Sequence, residues 1–387
     1  MGTSTDESLR RSVIAAVDDV AARGWELALA IFANPELSGH EQSARASCVA
    51  ALREAGLEVE DASGVDTGFV ATVECAGSGP TVGLLAEYDA LPTVGHGCGH
   101  HLIAGSTVTA GLGLAAVQAE LAGTVKIYGC PSEETLTGKQ AMLEAGAFEG
   151  VDGVLSFHAS DTTSVMTRST GSREVTFSFE GRPSHAATEP WAGASALDGV
   201  LLTMQNVNAF RQLVRDGVRI HGIVTAGGEV HNVIPAFAQC RFGIRSNDVE
   251  ELDRVVKRVI DCASAGAVAS DTRLSIEHGA HADPVRPDPL LTRLMRQNLE
   301  ALGERVDEWE ARASTDFGNV SQVIPGALAS VATWPLGTPF HSHDAAKHGD
   351  SETAREAMLQ GARAMALTTV DYLKHINETP TEEEVHE

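Results

Sequence analysis

The run Val82-Gly83-Leu84-Leu85-Ala86 carries no polar side chain and no alternation, so a strand formed there must be covered on both faces. That requirement fits a sheet sandwiched between helices, and the flanking sequence supplies them. Extended patterns at 68–75, 80–88, 124–130 and 152–158 alternate with helical spacing at 102–121 and 137–146, after helical stretches at 7–32 and 40–56. The rhythm predicts an α/β fold, a mixed and mostly parallel sheet with helices on both faces. It is broken once. Residues 174–180 alternate strictly, as a half-wet strand does, and a helix at 193–214, strands at 218–226 and 237–246, a helix at 248–265 and a strand at 272–279 follow. That order, β-α-β-β-α-β, is ferredoxin-like. Beyond a proline-rich stretch at 282–289 the first rhythm resumes, with helices at 289–302 and 351–375 and a strand near 327–334. The expected organisation is a large domain of residues 1–171 and 286–387, with a ferredoxin-like domain of residues 172–285 inserted into it.

Charge narrows the partners. With 28 basic against 53 acidic residues the formal net charge is −25, a surface that repels phosphate backbones and anionic lipid. No nucleic acid or membrane partner is expected, and no apolar run approaches the length of a membrane span. The N-terminus lacks the pattern of a signal peptide, and six irregularly spaced cysteines do not form a disulfide framework. A cytoplasmic location is the expectation. The acidic tail at 382–387 is expected to carry no chemistry.

Groups able to bind metal fall just past the C-terminal ends of the predicted strands, where open α/β sheets place their ligand sites. Strand 80–88 leads to Asp89 and then Cys98-Gly99-His100-His101; strand 124–130 leads to Glu133-Glu134; strand 152–158 ends at His158; the strand near 327–334 precedes His341. Taken singly, each has an ordinary structural explanation. Together, thiolate, imidazole and carboxylate are the ligand set of a transition-metal site. Two divalent ions roughly 3.5–4 Å apart can polarise a carbonyl and make water reactive toward an amide. A nearby carboxylate can then accept the water proton and return it to the departing nitrogen. Adjacent glutamates suit a division between ligand and base, because consecutive side chains point apart.

The ordered set Asp89-Ala90-Leu91-Pro92, Cys98-Gly99-His100, Glu133-Glu134, His158, 181–187 (Gly-Arg-Pro-Ser-His-Ala-Ala), Asn232-Val233-Ile234-Pro235 and His341 resembles the aminoacylase/carboxypeptidase family of dinuclear metallopeptidases. It is most similar to the branch holding aminobenzoyl-glutamate hydrolase and the auxin-conjugate amidohydrolases, and the likeness runs from Asn34 to the final helix. The resemblance implies cleavage of an amide in an N-acyl or N-aroyl amino acid or a short peptide. It implies two divalent ions per subunit, Mn²⁺ or Zn²⁺, held by Cys98, His100, Glu134, His158 and His341, with Cys98 shared between them. It makes Glu133 the general base and Asp89 the group that orients a ligand. It also implies a homodimer in which His185 of the inserted domain helps hold the substrate oxyanion. Asn232 and Arg245 would contact the substrate carboxylate. Departures from the pattern are His101 after the Cys98-Gly99-His100 core, Glu87 where other branches place a histidine, and Thr135-Leu136-Thr137-Gly138-Lys139 in place of a glycine run.

Three other readings compete. One is hydrolytic deamination of an aromatic amine on the same fold. Another is a non-catalytic binding protein. The last is a cysteine hydrolase with Cys98 as nucleophile, insensitive to chelators.

Overall fold

A computed structural model describes residues 2–378, so the acidic tail at 382–387 lies outside the described residues. The chain divides into two compact units. The first comprises Met1–Arg168, Val285–Ala311 and Asn319–Glu387; the second comprises Ser169–Pro284 and Arg312–Gly318.

The first unit is built on eight strands: β1 (Glu58–Asp61), β2 (Phe69–Glu74), β3 (Gly77–Glu87), β4 (Ala122–Cys130), β5 (Gly153–Ser160), β6 (Ser164–Arg168), β11 (Asp307–Glu310) and β12 (Gly326–Ala332). They pair in the order β1-β2-β4-β3-β5-β12-β6-β11. The centre, from β4 through β3 and β5 to β12, is parallel; β1, β2 and β4 pair antiparallel, and so do β12 and β6. Residues Val82 and Leu84 through Glu87 of β3 are all buried. Since neighbouring side chains in a strand point to opposite faces, the sheet is covered on both, as the apolar run required. The helices of this unit include α1 (Gly2–Ala33), α2 (Gln42–Glu54), α3 (His100–Ala116), α4 (Gly138–Glu144), α7 (Pro289–Ala301), the short α9 (His343–Ala346) and α10 (Glu352–Glu378). α3 and α10 pack on β3 and β5, and α1 packs on both helices. Fifteen consecutive residues of α3, His100 to Leu114, are buried. Such a helix must be small-sided, and its Gly105, Gly111 and Gly113 each have neighbours that a Cβ would meet within 2.6 Å.

The second unit holds β7 (Gly171–Glu180), α5 (Ala196–Phe210), β8 (Arg219–Ala226), β9 (Phe237–Ser246), α6 (Val249–Ser270) and β10 (Arg273–Ala282). Its sheet runs β10-β7-β9-β8, every pairing antiparallel. Val175, Phe177 and Phe179 of β7 alternate inward onto a core with Val200, Val207, Val255 and Val259 of the two helices. A further helix, α8, spans Phe317–Val323.

Three strands escaped the sequence reading, β1, β6 and β11, with four, five and four residues, and so did the short helices α8 and α9. Strands this short carry too little alternation to separate from a loop. His158 also sits differently from the expectation. β5 continues to Ser160, so His158 lies within the strand rather than at its end.

Candidate metal centre

Local backbone rules bring the donors together. Gly99 caps α3 with φ +83°, and a Cβ there would lie 2.6 Å from the Ala159 methyl. Only glycine meets both conditions, which explains why Cys98 and His100 must flank one. The Glu133-Glu134 pair is bracketed by two non-glycine residues in the left-handed region, Ser132 (φ 60°) and Leu136 (φ 57°), and His341 is a third (φ 57°). Such conformations persist only where the surroundings over-determine them, and here the surroundings are visible. Buried Glu41 accepts hydrogen bonds from the Ser132 amide at 2.9 Å, the Gly39 amide at 2.8 Å and the Thr67 hydroxyl at 2.7 Å. Gly138 lets the loop fold back on the Pro131 carbonyl, which a Cβ would meet at 1.7 Å.

Asp89 ties three segments. Its Oδ1 accepts from His100 Nδ1 at 2.9 Å, and its Oδ2 accepts from the Ser38 hydroxyl at 2.7 Å and the Glu134 amide at 3.0 Å. Donation by Nδ1 leaves Nε2 as the nitrogen of His100 that would ligate, with its lone pair freed once a cation displaces the second proton. His158 does the same, giving its Nδ1 proton to the Ala159 carbonyl at 2.6 Å. The two free Nε2 atoms then face one cluster. Cys98 Sγ lies 3.7 Å from His158 Nε2, and His341 Nε2 lies 3.4 Å from Glu134 Oε2. His100 Nε2 has Glu87, Glu133 and Glu134 carboxylate oxygens at 3.7, 3.8 and 3.8 Å.

Donor atoms within 4.8 Å of one another form three groups: Cys98–His100–His158, Cys98–Glu134–His341 and His100–Glu133–Glu134. All five ligands expected from the sequence, and Glu133 beside them, therefore meet, and Cys98 belongs to two groups. His100 Nε2 and Glu134 Oε1 are buried without a hydrogen-bond partner. Carboxylates converging on an unpartnered imidazole nitrogen, with a thiol alongside, fit a divalent cation by chemistry and by geometry.

Electrostatics agree. Burial and the neighbouring Glu134 and Glu133 raise the Cys98 thiol pKa, His100 opposing, so a thiolate here requires a cation. Burial alone would lower the His100 pKa, yet Cys98 and Asp89 raise it well above the ordinary value. Burial holds the pKa of His158 down to about 4, which keeps it neutral and able to ligate. His96 is likewise held at about 4, from 6.5, by burial and by His100.

These histidines set a pH dependence for the metal-free protein. Unfolded, His96 and His158 take protons near pH 6.5; folded, only near 4. Between those values the unfolded chain binds more protons, so stability is full above about pH 6.5 and falls as the pH drops toward 4. Each contributes on the order of 3 kcal/mol at the limit. His100 is raised, so it is protonated in both states over that window and adds no slope there. Thermal melts of metal-free protein are expected to show a lower Tm near pH 5 than near pH 7, with His96→Asn reducing the difference but not removing it, because His158 and His101 still titrate. An unchanged Tm would refute the assignment.

The second unit carries the remaining candidates. His185 is exposed, and its Nδ1 accepts from the Ala187 and Thr188 amides at 3.2 Å each, leaving Nε2 as the protonated nitrogen of the neutral ring. The Ala186 amide donates to the Asn232 carbonyl at 3.0 Å, so those two loops are joined. Arg245 on β9 donates to the Ser314 hydroxyl at 2.9 Å. Of the departures, His101 is buried against Phe32 and His96 and bonded to the Gly349 carbonyl, and burial holds its pKa well below the ordinary value. Asp344 pairs with Lys347 at 2.7 Å along the helix surface.

The sequence assigns no role to several residues that the structure places around the site. Glu41 and Ser38 belong to none of the candidate metal groups and show only as supports. Lys139 is fully buried, 2.6 Å from Glu87 Oε1. Trp309, Phe340 and Trp334 gather around His158, whose ring lies 5.8 Å from Trp309 and 5.9 Å from Phe340. Isolated aromatics on β11 and a loop give no periodic signal to find.

Residues 83–371, a stretch that holds every one of these donors, match peptidase family M20/M25/M40. The chain belongs to that family. The mouse Xaa-Arg dipeptidase is 34% identical over 388 residues, covering 95% of this chain and 89% of the relative. A p-aminobenzoyl-glutamate hydrolase polypeptide of Escherichia coli (strain K12) is 26% identical, over 94% of this chain and 92% of its own length. Among solved structures, a putative aminohydrolase from methicillin-resistant Staphylococcus aureus shares the fold with a TM-score of 0.81 at 19% identity, covering 94% of this chain and all of that one. The Bacillus subtilis YXEP protein, a dinuclear metal binding peptidase of the M20 family, does so with a TM-score of 0.72 at 20% identity, over 92% and 99%. The protein is thus a metal-dependent hydrolase of amide bonds that uses divalent ions. Among the described residues, no helix is long and apolar enough to cross a membrane.

Proposed function

We propose that the protein hydrolyses the amide bond of N-acyl or N-aroyl amino acids or short peptides, at a centre of two divalent ions held by Cys98, His100, Glu134, His158 and His341. One observation carries this reading: five donors from four separate stretches of chain converge in overlapping groups that share Cys98, with the Glu133 carboxylate in the same cluster. Bound cations supply Lewis-acid polarisation of the scissile carbonyl and lower the pKa of water. Glu133, 8% exposed, is placed to hold the proton taken from water and hand it to the leaving nitrogen. Asp89 keeps His100 in the required tautomer. His185 presents an Nε2–H donor for the developing oxyanion, in a homodimer formed through the second unit acting as a lid. Asn232 and Arg245 take the substrate carboxylate. The ions are Mn²⁺ or Zn²⁺. All six cysteines are free thiols, which supports a cytoplasmic location.

The named relatives support the substrate class. A Xaa-Arg dipeptidase, a p-aminobenzoyl-glutamate hydrolase and an N-acetyl-L-cysteine deacetylase each act, by name, on an amide whose amine side is an amino acid. The aromatic rings beside His158 offer apolar surface for a flat acyl group and favour an aroyl substrate within that class.

The experiment is a panel of N-acetyl, N-benzoyl and N-aminobenzoyl amino acids and dipeptides, assayed with Mn²⁺, with Zn²⁺ and after chelation. Release of a free amino acid, abolished by chelation and restored by metal, is expected. Release of ammonia from an aromatic amine instead would move the assignment to the deaminase. Chelator-resistant turnover blocked by alkylation would favour Cys98 as nucleophile. A second check isolates His185. His185→Ala should keep the full metal content while kcat falls by about 10²-fold; unaltered kcat would remove it from the reaction.

A further inference from the structure

Lys139 occupies the first turn of α4, a place where the positive end of the helix dipole disfavours a cation. Its side chain is fully buried, a costly position for an ammonium group. Neither helix position nor burial explains it. Glu87 does: at the end of β3, 3% exposed, it receives Lys139 Nζ on Oε1 at 2.6 Å and turns Oε2 toward His100 Nε2 at 3.7 Å. Glu87 therefore stands at the edge of the donor cluster with one oxygen committed and the other facing in.

The charge inventory gives the pair a purpose. With Cys98 as thiolate, the cluster and its immediate neighbours Glu87, Asp89, Glu133 and Glu134 bring five negative charges. Two divalent cations balance four, and Lys139 supplies the fifth positive charge. We propose that Lys139 is a positioning residue of the centre: it pins Glu87 through Oε1, keeps that carboxylate from closing on a cation as a further ligand, and balances the centre's charge. The proposal rests on the metal-binding reading above and adds to it the control of affinity.

The two partners then have opposite effects on cation binding. Lys139→Met leaves a freed, uncompensated carboxylate beside the donors and should tighten binding. Glu87→Gln leaves a buried cation facing them and should weaken it. One unit charge at such range is worth roughly tenfold or more in affinity. The double variant Lys139→Met/Glu87→Gln removes both charges and should return to within about threefold of the parent, since a buried pair replaced together by neutral groups leaves no lone charge.

The test is calorimetric titration of the metal-free full-length protein and its variants with Mn²⁺ and Zn²⁺, with melts alongside to confirm folding. Opposite shifts in the single variants, cancelled in the double, are expected; Lys139→Arg, which keeps the charge, should bind as the parent does. If Lys139→Met does not fold, Lys139→Gln makes the same charge change with a donor retained. Single variants that lower Tm yet bind cations as tightly as the parent would reduce the pair to packing and overturn the proposal. A parent protein that binds neither ion would instead overturn the metal reading, and this inference with it.

Discussion

Glu133→Gln is expected to keep the parent's metal content and fold while kcat falls by on the order of 10²-fold or more. The side chain is isosteric, so the packing around Ser132 and Leu136 should survive, and only the ability to hold a proton is lost. Glu133 Oε2 stands 3.8 Å from His100 Nε2, near enough to the cluster to act on water held there. The residue takes no part in either group that contains Cys98. KM should change little, because a proton acceptor is needed in the transition state rather than in binding. Elemental analysis beside steady-state kinetics separates the outcomes. A variant that loses metal in step with activity would make Glu133 a ligand, and the base would have to be sought elsewhere.

Cys98→Ala should be more damaging, and in a different way. Cys98 belongs both to the group with His100 and His158 and to the group with Glu134 and His341, so its removal takes a donor from each. Metal content should fall at both positions, and activity should drop by at least about 10³-fold, since several kcal/mol of transition-state stabilisation depends on bound cations. The apo protein should still fold, because the Cys98 side chain fills little space and Gly99, not Cys98, shapes the turn. Loss of one ion with the other retained would show that the thiol serves a single site. Retained activity with a full complement of metal would remove Cys98 from the centre.

Much of this arrangement was legible in the chain, and for a physical reason. Donors at or just past the C-terminal halves of parallel strands are brought to one edge of a sheet by topology, so Cys98, Glu134 and His341 could be grouped by their positions along the chain, with His158, inside β5, close to that edge. The buried strand at 82–86 was readable because burial on both faces removes every polar residue. The supports were not readable. Glu41 and Ser38 act across 91 and 51 residues of sequence, and neither carries a spacing that points to its partner. Lys139 and Glu87 each depart from the family pattern, but 52 residues of sequence separate them and nothing in the chain pairs them. Short strands such as β6 and β11 owe their conformation to neighbours in the sheet rather than to their own residues.

The links made by Asp89 and Glu41 have a consequence for how the protein can be cut. Residues 83–371 hold every donor, yet Ser38, Glu41 and Thr67, which fasten Asp89 and the Ser132 turn, all precede that stretch. A fragment trimmed to the donor-bearing stretch would own each ligand and lack the braces that aim them. On the proposed reading the opening segment would serve the site without offering an atom to the cations, and supplying it as a separate peptide should rebuild what trimming removes.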